Sequence, residues 1–267
     1  MKKNLYDCFN YFDEHLHVNL RFNILNDVID YFVICESIYD HKGNKKGINF
    51  DKNKFPKFKH KIIHLIIKEE FPDVTNPWNS QAYQREYLFN GIDKAKPDDL
   101  IFYSDSDEIA KPSSIYNLEL NKKYGIFLQK IFCYKINLLN KTETPWEGPR
   151  VCRKKHLKSF NWLRHKIVMS NLQKPFWRKK SIQLIEDGGW HFNYLLTAEQ
   201  ISQKIKSFAH SEFNKEIYFN IDKINHRINN QIDPFDRPRV YKKISLTKEN
   251  FPKYIINNSN ALKKWII

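Results

Sequence analysis

Three carboxylates crowd into the stretch Ser104-Asp105-Ser106-Asp107-Glu108. Like charges this close repel, and each makes the next harder to ionise unless a cation compensates. A hard divalent ion with oxygen ligands does this, so Mg²⁺ or Mn²⁺ is the expected partner. Such an ion keeps positions open for phosphate oxygens and can neutralise a diphosphate leaving group as a Lewis acid. Asp105 and Asp107 form a D-x-D within this stretch that offers such oxygen ligands. A bare D-x-D also suits an acidic turn in which Asp caps a helix. Position favours the metal. The turn follows the apolar run Asp99-Leu100-Ile101-Phe102-Tyr103, and parallel α/β sheets bind ligands beyond the carboxyl ends of their strands.

The elements that must position this turn are legible upstream. Tyr31-Phe32-Val33-Ile34-Cys35-Glu36 and Ile62-Ile63-His64-Leu65-Ile66-Ile67 are short apolar runs, the pattern of strands buried on both faces. Residues 19–30 place Leu20, Ile24 and Val28 on one helical face, and residues 80–95 do the same with Tyr83, Tyr87, Leu88 and Ile92. Helix and strand thus alternate to about residue 110, which predicts a three-layer α/β/α sandwich with a mostly parallel central sheet. Residues 124–139 read as two β segments with a bend. Thr197-Ala198-Glu199-Gln200 is a capping box, opening a helix with Ile201, Ile205 and Phe208 inward. A second helix is expected over 211–230, with Ile217, Ile221, Ile224 and Ile228 in step. The later part therefore reads as helical, basic and less sheet-like. One domain over 1–240 is expected, with 241–267 as an extension packing on it or trailing.

The net charge of +15 is uneven. Residues 1–140 hold 20 Lys+Arg against 19 Asp+Glu, and residues 141–267 hold 25 against 11. Such a field favours phosphates, acidic glycans, an anionic membrane surface or nucleic acid. A solvated basic face is the plain alternative. Cys8, Cys35, Cys133 and Cys152 form no CxxC pair, and their spacing suggests no zinc site. Met1-Lys2-Lys3 leads into polar residues rather than a signal-peptide core, and no uncharged run is long enough to span a membrane. The expectation is a soluble cytoplasmic chain, with peripheral contact at the inner membrane face open to its basic half.

Several segments, taken in order, resemble the family 17 glycosyltransferases. They are Tyr6-Asp7-Cys8-Phe9-Asn10-Tyr11-Phe12-Asp13-Glu14, Leu20-Arg21-Phe22, Asp30 to Ser37, Arg85-Glu86, Asp105-Ser106-Asp107-Glu108-Ile109, Gly189-Trp190-His191-Phe192-Asn193-Tyr194, and Ile201 with Lys204 to His210. The resemblance implies a GT-A-type nucleotide-binding fold, a nucleotide-sugar donor such as UDP-GlcNAc, a glycan or lipid-linked glycan acceptor, and inversion at the anomeric carbon. It implies Asp107 as the direct metal ligand, Asp105 as a contact to ribose or to metal-bound water, and Glu36 at the nucleoside. Ala110 stands where Pro is frequent in the family.

Inverting transfer needs a carboxylate to take the acceptor's proton. Asp187, with Glu186 beside it, is the first candidate, and Glu108 and Glu147 are rivals. Gly188-Gly189 permits close backbone approach to a ligand. Trp190 could stack on an acceptor sugar, and His191 could complete a Mn²⁺ shell. His210 is a weaker candidate. Arg85, Arg150 and Arg153 could grip diphosphate through their planar donor forks. The basic runs at 153–155 and 178–180 read as acceptor or membrane contacts, or as solvated charge.

Two other classes compete. A glycoside hydrolase needs paired carboxylates facing each other across a bond and no metal, which a tight D-x-D fits poorly. A nucleic-acid-binding module would use the basic half with its interleaved Trp and Tyr. No RNP, zinc or helix-turn-helix signature accompanies it, so no nucleic acid is expected.

Overall fold

Apolar runs become strands where both faces can be buried. The computed structural model describes residues 3–174, 182–207 and 211–267, and among these, ten strands join one sheet. β2 (Tyr31–Ser37), β3 (Ile62–Ile67) and β4 (Leu100–Tyr103) fall on the three apolar runs. β1 (Leu5–Asn10) is hidden from the apolar pattern, because Asp7 sits inside it. Asp7 is nevertheless 2% exposed. Arg21 of helix α1 (His15–Leu25) makes this possible, donating from Nε and Nη2 to its two carboxylate oxygens at 2.6 and 2.5 Å. A buried charge persists only when so paired.

β3, β2, β1 and β4 lie side by side and parallel. The chain steps outward from β1 to β2 and β3. It then returns through helix α2 (Pro77–Tyr87) to lay β4 on the other side of β1. Strand order therefore reverses between β1 and β4, and a crevice opens at their carboxyl ends. The α/β fold expected from sequence is present, with this parallel run forming one half of the sheet and β3 at its edge. Beyond β4, the strands β8 (Trp146–Arg153), β6 (Tyr124–Cys133), β7 (Leu138–Asn140) and β10 (Tyr241–Lys243) extend the sheet with antiparallel pairing. The two β segments expected over 124–139 are β6 and β7.

β5 (Glu108–Ala110) begins inside the acidic stretch and leads into the short helix α3 (Pro112–Tyr116). It pairs antiparallel with β9 (Ile182–Asn193), which also runs parallel to β6. β9 has no continuous apolar run to announce it, since Glu186, Asp187 and two glycines interrupt it. The later half is accordingly less helical than its periodicity suggests. Helix α4 (Phe160–Lys166) packs against α2 and β4.

The capping box at Thr197 forms. Thr197 N donates to Gln200 Oε1 at 3.1 Å, and Gln200 N donates to Thr197 Oγ1 at 3.3 Å. It opens α5 (Ala198–Ser207), with Ile201 and Ile205 buried. Phe208, His210 and the basic run at 178–180 lie outside the described residues. The helix expected over 211–230 is divided into α6 (Glu216–Phe219) and α7 (Ile221–Asn230). Asn220 causes the break, because its backbone is extended and its side chain caps α7 at Lys223 N, 3.1 Å away. Ile224 is buried, whereas Ile217 and Ile221 are exposed. In the C-terminal segment, Phe251 and Ile255 of helix α8 (Lys253–Asn257) and its lead-in join the main core, and β10 edges the sheet. Among the described residues no helix is long and apolar enough to cross a membrane.

Candidate functional site

The crevice at the β1/β4 reversal holds a cavity of about 400 Å³. The turn after β1 contributes Asn10, Tyr11, Phe12 and Glu14, and the turn after β4 contributes Asp105, Ser106 and Asp107. Trp146 of β8, His191 of β9 and Lys204 of α5 complete the wall around the acidic turn. Tyr39, Asp40, His41 and Gln84 stand on the β2 side, and Tyr194, Phe235 and Arg237 on the other.

Arg21 organises the acidic turn from below. Its Nη1 donates to the carbonyls of Asp105 at 3.1 Å and Glu108 at 3.0 Å, and its Nη2 donates to Ser104 Oγ at 2.6 Å. One buried guanidinium thus ties the middle of β1 to the turn that β4 delivers. Antiparallel pairing of β5 and β9 sets Glu108 opposite His191. This register brings His191 Nε2 to 3.5 Å from Asp107 Oδ1. Lys204 Nζ lies 3.8 Å from Asp107 Oδ2 and 3.8 Å from Glu14 Oε1.

The charges are mutually supporting. Burial works against ionising Asp107, but His191 and Lys204 prevail and hold its carboxyl well below the usual range. Burial likewise opposes charge on His191, yet Asp107 raises its pKa overall. Lys204 is raised in the same way by Asp107 and Glu14 against its own desolvation. At Asp105 desolvation is outweighed by Arg164 and then Arg85, so its carboxyl too is lowered. Arg164, on α4, donates from Nη2 to Asp105 Oδ2 at 2.7 Å and to Glu108 Oε1 at 2.8 Å, and from Nη1 to Glu108 Oε2 at 2.9 Å. Trp146 Nε1 donates to Glu108 Oε1 at 2.7 Å.

The residues present fit a divalent cation bound through few protein ligands, with its remaining positions open. Among the described residues no cage of three or more His, Cys, Asp or Glu side chains is gathered. Mg²⁺ and Mn²⁺ need none at nucleotide sites, where one or two protein ligands act with phosphate oxygens and water. Asp107 and His191 offer an oxygen and a nitrogen in one wall. His191 Nδ1 is buried with no hydrogen-bond partner, while the Asp107 carboxylate facing Nε2 favours a proton on that nitrogen when no cation is bound.

Of the residues singled out from sequence, the cavity brings together Asp105, Asp107 and His191. The others lie elsewhere. Asp187 and Glu186 do not line the cavity. They sit at a bulge in β9, where Asp187 takes a left-handed φ of 48°, is 57% exposed at its side chain and pairs with Lys111. Gly189 does serve close backbone approach, but to a neighbouring strand. Its φ is 133°, and a Cβ there would stand 2.2 Å from Ile109 O. Trp190 is 5% exposed and packs in the main core, its indole donating to Asn250 O at 2.6 Å. That leaves no ring face for an acceptor sugar, and Trp146 is the indole at the cavity instead. Its ring lies 4.9 Å from that of His191.

Glu36 is fully buried and accepts from Lys46 Nζ at 3.0 Å, Asn49 N at 2.7 Å and Phe50 N at 3.1 Å. It pins the loop after β2 rather than facing a nucleoside. Arg85 donates to Tyr103 Oη, Asn161 Oδ1 and His165 Nε2. Arg150 is spent on the carbonyls of Ile167, Glu147 and Gly148, and desolvation brings its pKa down to about 10. Arg153 donates to Leu120 O, and Glu147 accepts from Arg150 and Met169 N. None of these lines the cavity. Buried arginines satisfy carbonyls as readily as phosphates, and sequence position does not distinguish the two.

The sequence reading missed Arg164 and Trp146 and did not weigh Lys204 or Glu14 as site residues. Arg164 carries no motif in Phe160-Asn161-Trp162-Leu163-Arg164. Lys204 lies in one of the family-like segments, and its spacing from the capping box placed it on a helix, but not over Asp107.

Comparison with known proteins adds lineage to this geometry. A family model described as Glycosyltransferase family 17 matches residues 1–260. The β-1,4-mannosyl-glycoprotein 4-β-N-acetylglucosaminyltransferases of Rattus norvegicus and Homo sapiens are 24% and 23% identical over 231 residues, covering 73% of this chain. The chain matches only 41% of the length of those relatives. Among solved structures, TarS 1-349 of S. aureus aligns at TM-score 0.39 and 10% identity, over 85% of this chain and 72% of that one. Glucosyl-3-phosphoglycerate synthase from Mycobacterium tuberculosis aligns at TM-score 0.42 and 9% identity, over 84% and 80%.

Proposed function

The chain belongs to glycosyltransferase family 17, and on that premise we propose that the β1/β4 cavity binds a nucleotide-sugar donor, UDP-GlcNAc in the first place, and passes its sugar to a glycan hydroxyl with inversion. The observation that carries this reading is Asp107, set at the strand-order reversal between His191 and Lys204. UDP is chosen over other nucleotides, and GlcNAc over other sugars, by likeness to the N-acetylglucosaminyltransferases alone. The acceptor is a glycan, free or lipid-linked. The basic excess after residue 140 would suit a lipid-linked acceptor at an anionic membrane face.

In this reading Asp107, with His191, would hold Mn²⁺ or Mg²⁺ together with the donor's diphosphate oxygens. When bound, the ion supplies charge neutralisation at the leaving group. The protein's own part is more than that. Lys204 already stands beside Asp107 and keeps donors free, since 3.8 Å is too long for a hydrogen bond. It meets negative charge as the bond between the anomeric carbon and the diphosphate oxygen breaks. The acceptor oxygen forms its new bond from the opposite face and must lose a proton. Glu14 is the cavity carboxylate suited to take it. Its Oε2 is fixed by the amides of Phe12 and Asp13 at 2.9 and 3.1 Å, and Oε1 lies 3.8 Å from Lys204 Nζ.

A donor screen tests the reading. UDP- and GDP-sugars are incubated with the protein in Mn²⁺ and in EDTA, and nucleotide release is measured. UDP-GlcNAc turnover that falls at least ~100-fold in Asp107→Ala is expected, with the variant folded by circular dichroism. Absence of both turnover and UDP binding in the wild type would sink it. Mn²⁺-dependent turnover surviving in Asp107→Ala would remove the role given to that residue.

A further inference from the structure

The acidic turn presents three carboxylates, yet they are not equivalent. Glu108 is fully buried, and every approach to it is taken. Arg164 grips both of its oxygens, Trp146 donates to Oε1, and Asp105 N donates to Oε2 at 3.3 Å. Asp105 lines the cavity and is 41% exposed at its side chain, but one of its oxygens is held by the same guanidinium. Among the described residues Asp107 has no arginine partner. Its neighbours are an imidazole at 3.5 Å and an ammonium at 3.8 Å, neither in hydrogen-bond contact.

Arg164 does not line the cavity. It reaches the turn from α4, and α4 is itself fastened. Ser159 Oγ caps it at Trp162 N, Glu86 of α2 accepts from Asn161 N at 2.8 Å, and Arg85 bridges Asn161 and His165 to the hydroxyl of Tyr103. The guanidinium fork is thus presented at a set place, where planar two-pronged pairing with carboxylates is strongest.

We propose that Arg164 is a positioning residue that occupies Asp105 and Glu108 by pairing with them and so leaves Asp107 as the one carboxylate of the turn open to a divalent cation. The inference rests on the cavity being a cation-assisted diphosphate site. It gives α4 a purpose that the reaction alone does not. With three free carboxylates the turn would draw a cation to more than one position and repel the incoming diphosphate. Pairing two of them confines the cation to the side shared with His191 and Lys204.

The test uses Mn²⁺ alone, titrated into the full chain and followed by water-proton relaxation. Asp107→Ala is expected to weaken Mn²⁺ binding at least ~10-fold, and Asp105→Asn to change it less than ~3-fold. Adding Arg164→Gln to Asp107→Ala is expected to recover most of the lost affinity, because Asp105 is released as a substitute ligand. A double variant binding no better than Asp107→Ala overturns the proposal, as does an Asp105→Asn variant damaged as much as Asp107→Ala. Urea unfolding of each variant confirms folding. If Arg164→Gln gives no cooperative transition, Arg164→Lys, which keeps charge but not the fork, takes its place with a smaller recovery expected and the same overturning result. Absence of Mn²⁺ binding by the wild type also overturns the proposal, while donor turnover, measured separately, would still stand or fall by itself. Mn²⁺ binding without any donor turnover would remove the transferase reading and leave Arg164 in its role.

Discussion

Asp107 Oδ1 and His191 Nε2 face each other across 3.5 Å, brought together by the register of β5 on β9. Each holds the other's charge against the cost of burial, so the pair links stability to pH. His191 has its pKa raised above 6.5 by Asp107 despite desolvation, so its contribution is fully present below about pH 6.5 and is lost as pH rises through the folded value. Asp107, lowered from 3.8, contributes above about pH 4 and loses its contribution on acidification. In EDTA, the melting-temperature gap between wild type and His191→Gln should therefore be widest between about pH 4 and 6.5 and narrow at higher pH. A gap that widens from pH 6.5 to 9 would contradict the pairing.

Glu14 is predicted to carry the proton transfer. Glu14→Gln should lower kcat for transfer to acceptor ~100-fold or more, with the affinity for UDP changed less than ~3-fold. Steady-state kinetics beside a UDP titration reads both. A variant that keeps its kcat assigns the base elsewhere.

Arg21 joins β1, α1 and the acidic turn, and Asp7 has no other cation within contact among the described residues. Arg21→Met should cost about 3–5 kcal/mol, since it leaves a buried carboxylate unpaired. Urea denaturation measures it. A loss below about 1 kcal/mol would show that Asp7 is relieved in some other way.

Gly189 pairs with Ala110 where β9 lies against β5. Gly189→Ala combines an unfavourable φ with a Cβ forced onto Ile109 O, and should cost about 3 kcal/mol or more. Because Trp190 and His191 follow directly, Mn²⁺ binding should weaken along with it. Thermal melts and the relaxation titration test the two halves separately.

The sequence was sufficient for what depends on local pattern. Two-sided burial writes continuous apolar runs, and so β2, β3 and β4 were readable, as was the capping box at Thr197. The acidic turn was readable too, because a strand end in an α/β sheet is where ligands bind. Asp7 concealed β1, since a charge inside a strand is tolerable only through Arg21, and that pairing spans two elements. Asn220 divided a helix whose isoleucine spacing ran straight through it.

Sequence by itself pointed to the family, the parallel α/β core and two carboxylates of the cavity, because these follow from residue types and their order along the chain. Tertiary structure decided which partners those carboxylates have. Arg164, Lys204 and Trp146 meet them only through α4, α5 and β8, and such contacts leave no periodicity. It also decided which plausible residues stay out. Asp187 faces Lys111, Trp190 packs in the core, and Arg85, Arg150 and Glu36 satisfy the protein's own backbone and side chains. The physical reason is the same in each case. A polar side chain takes whichever partner burial places beside it, and burial is a property of the folded whole.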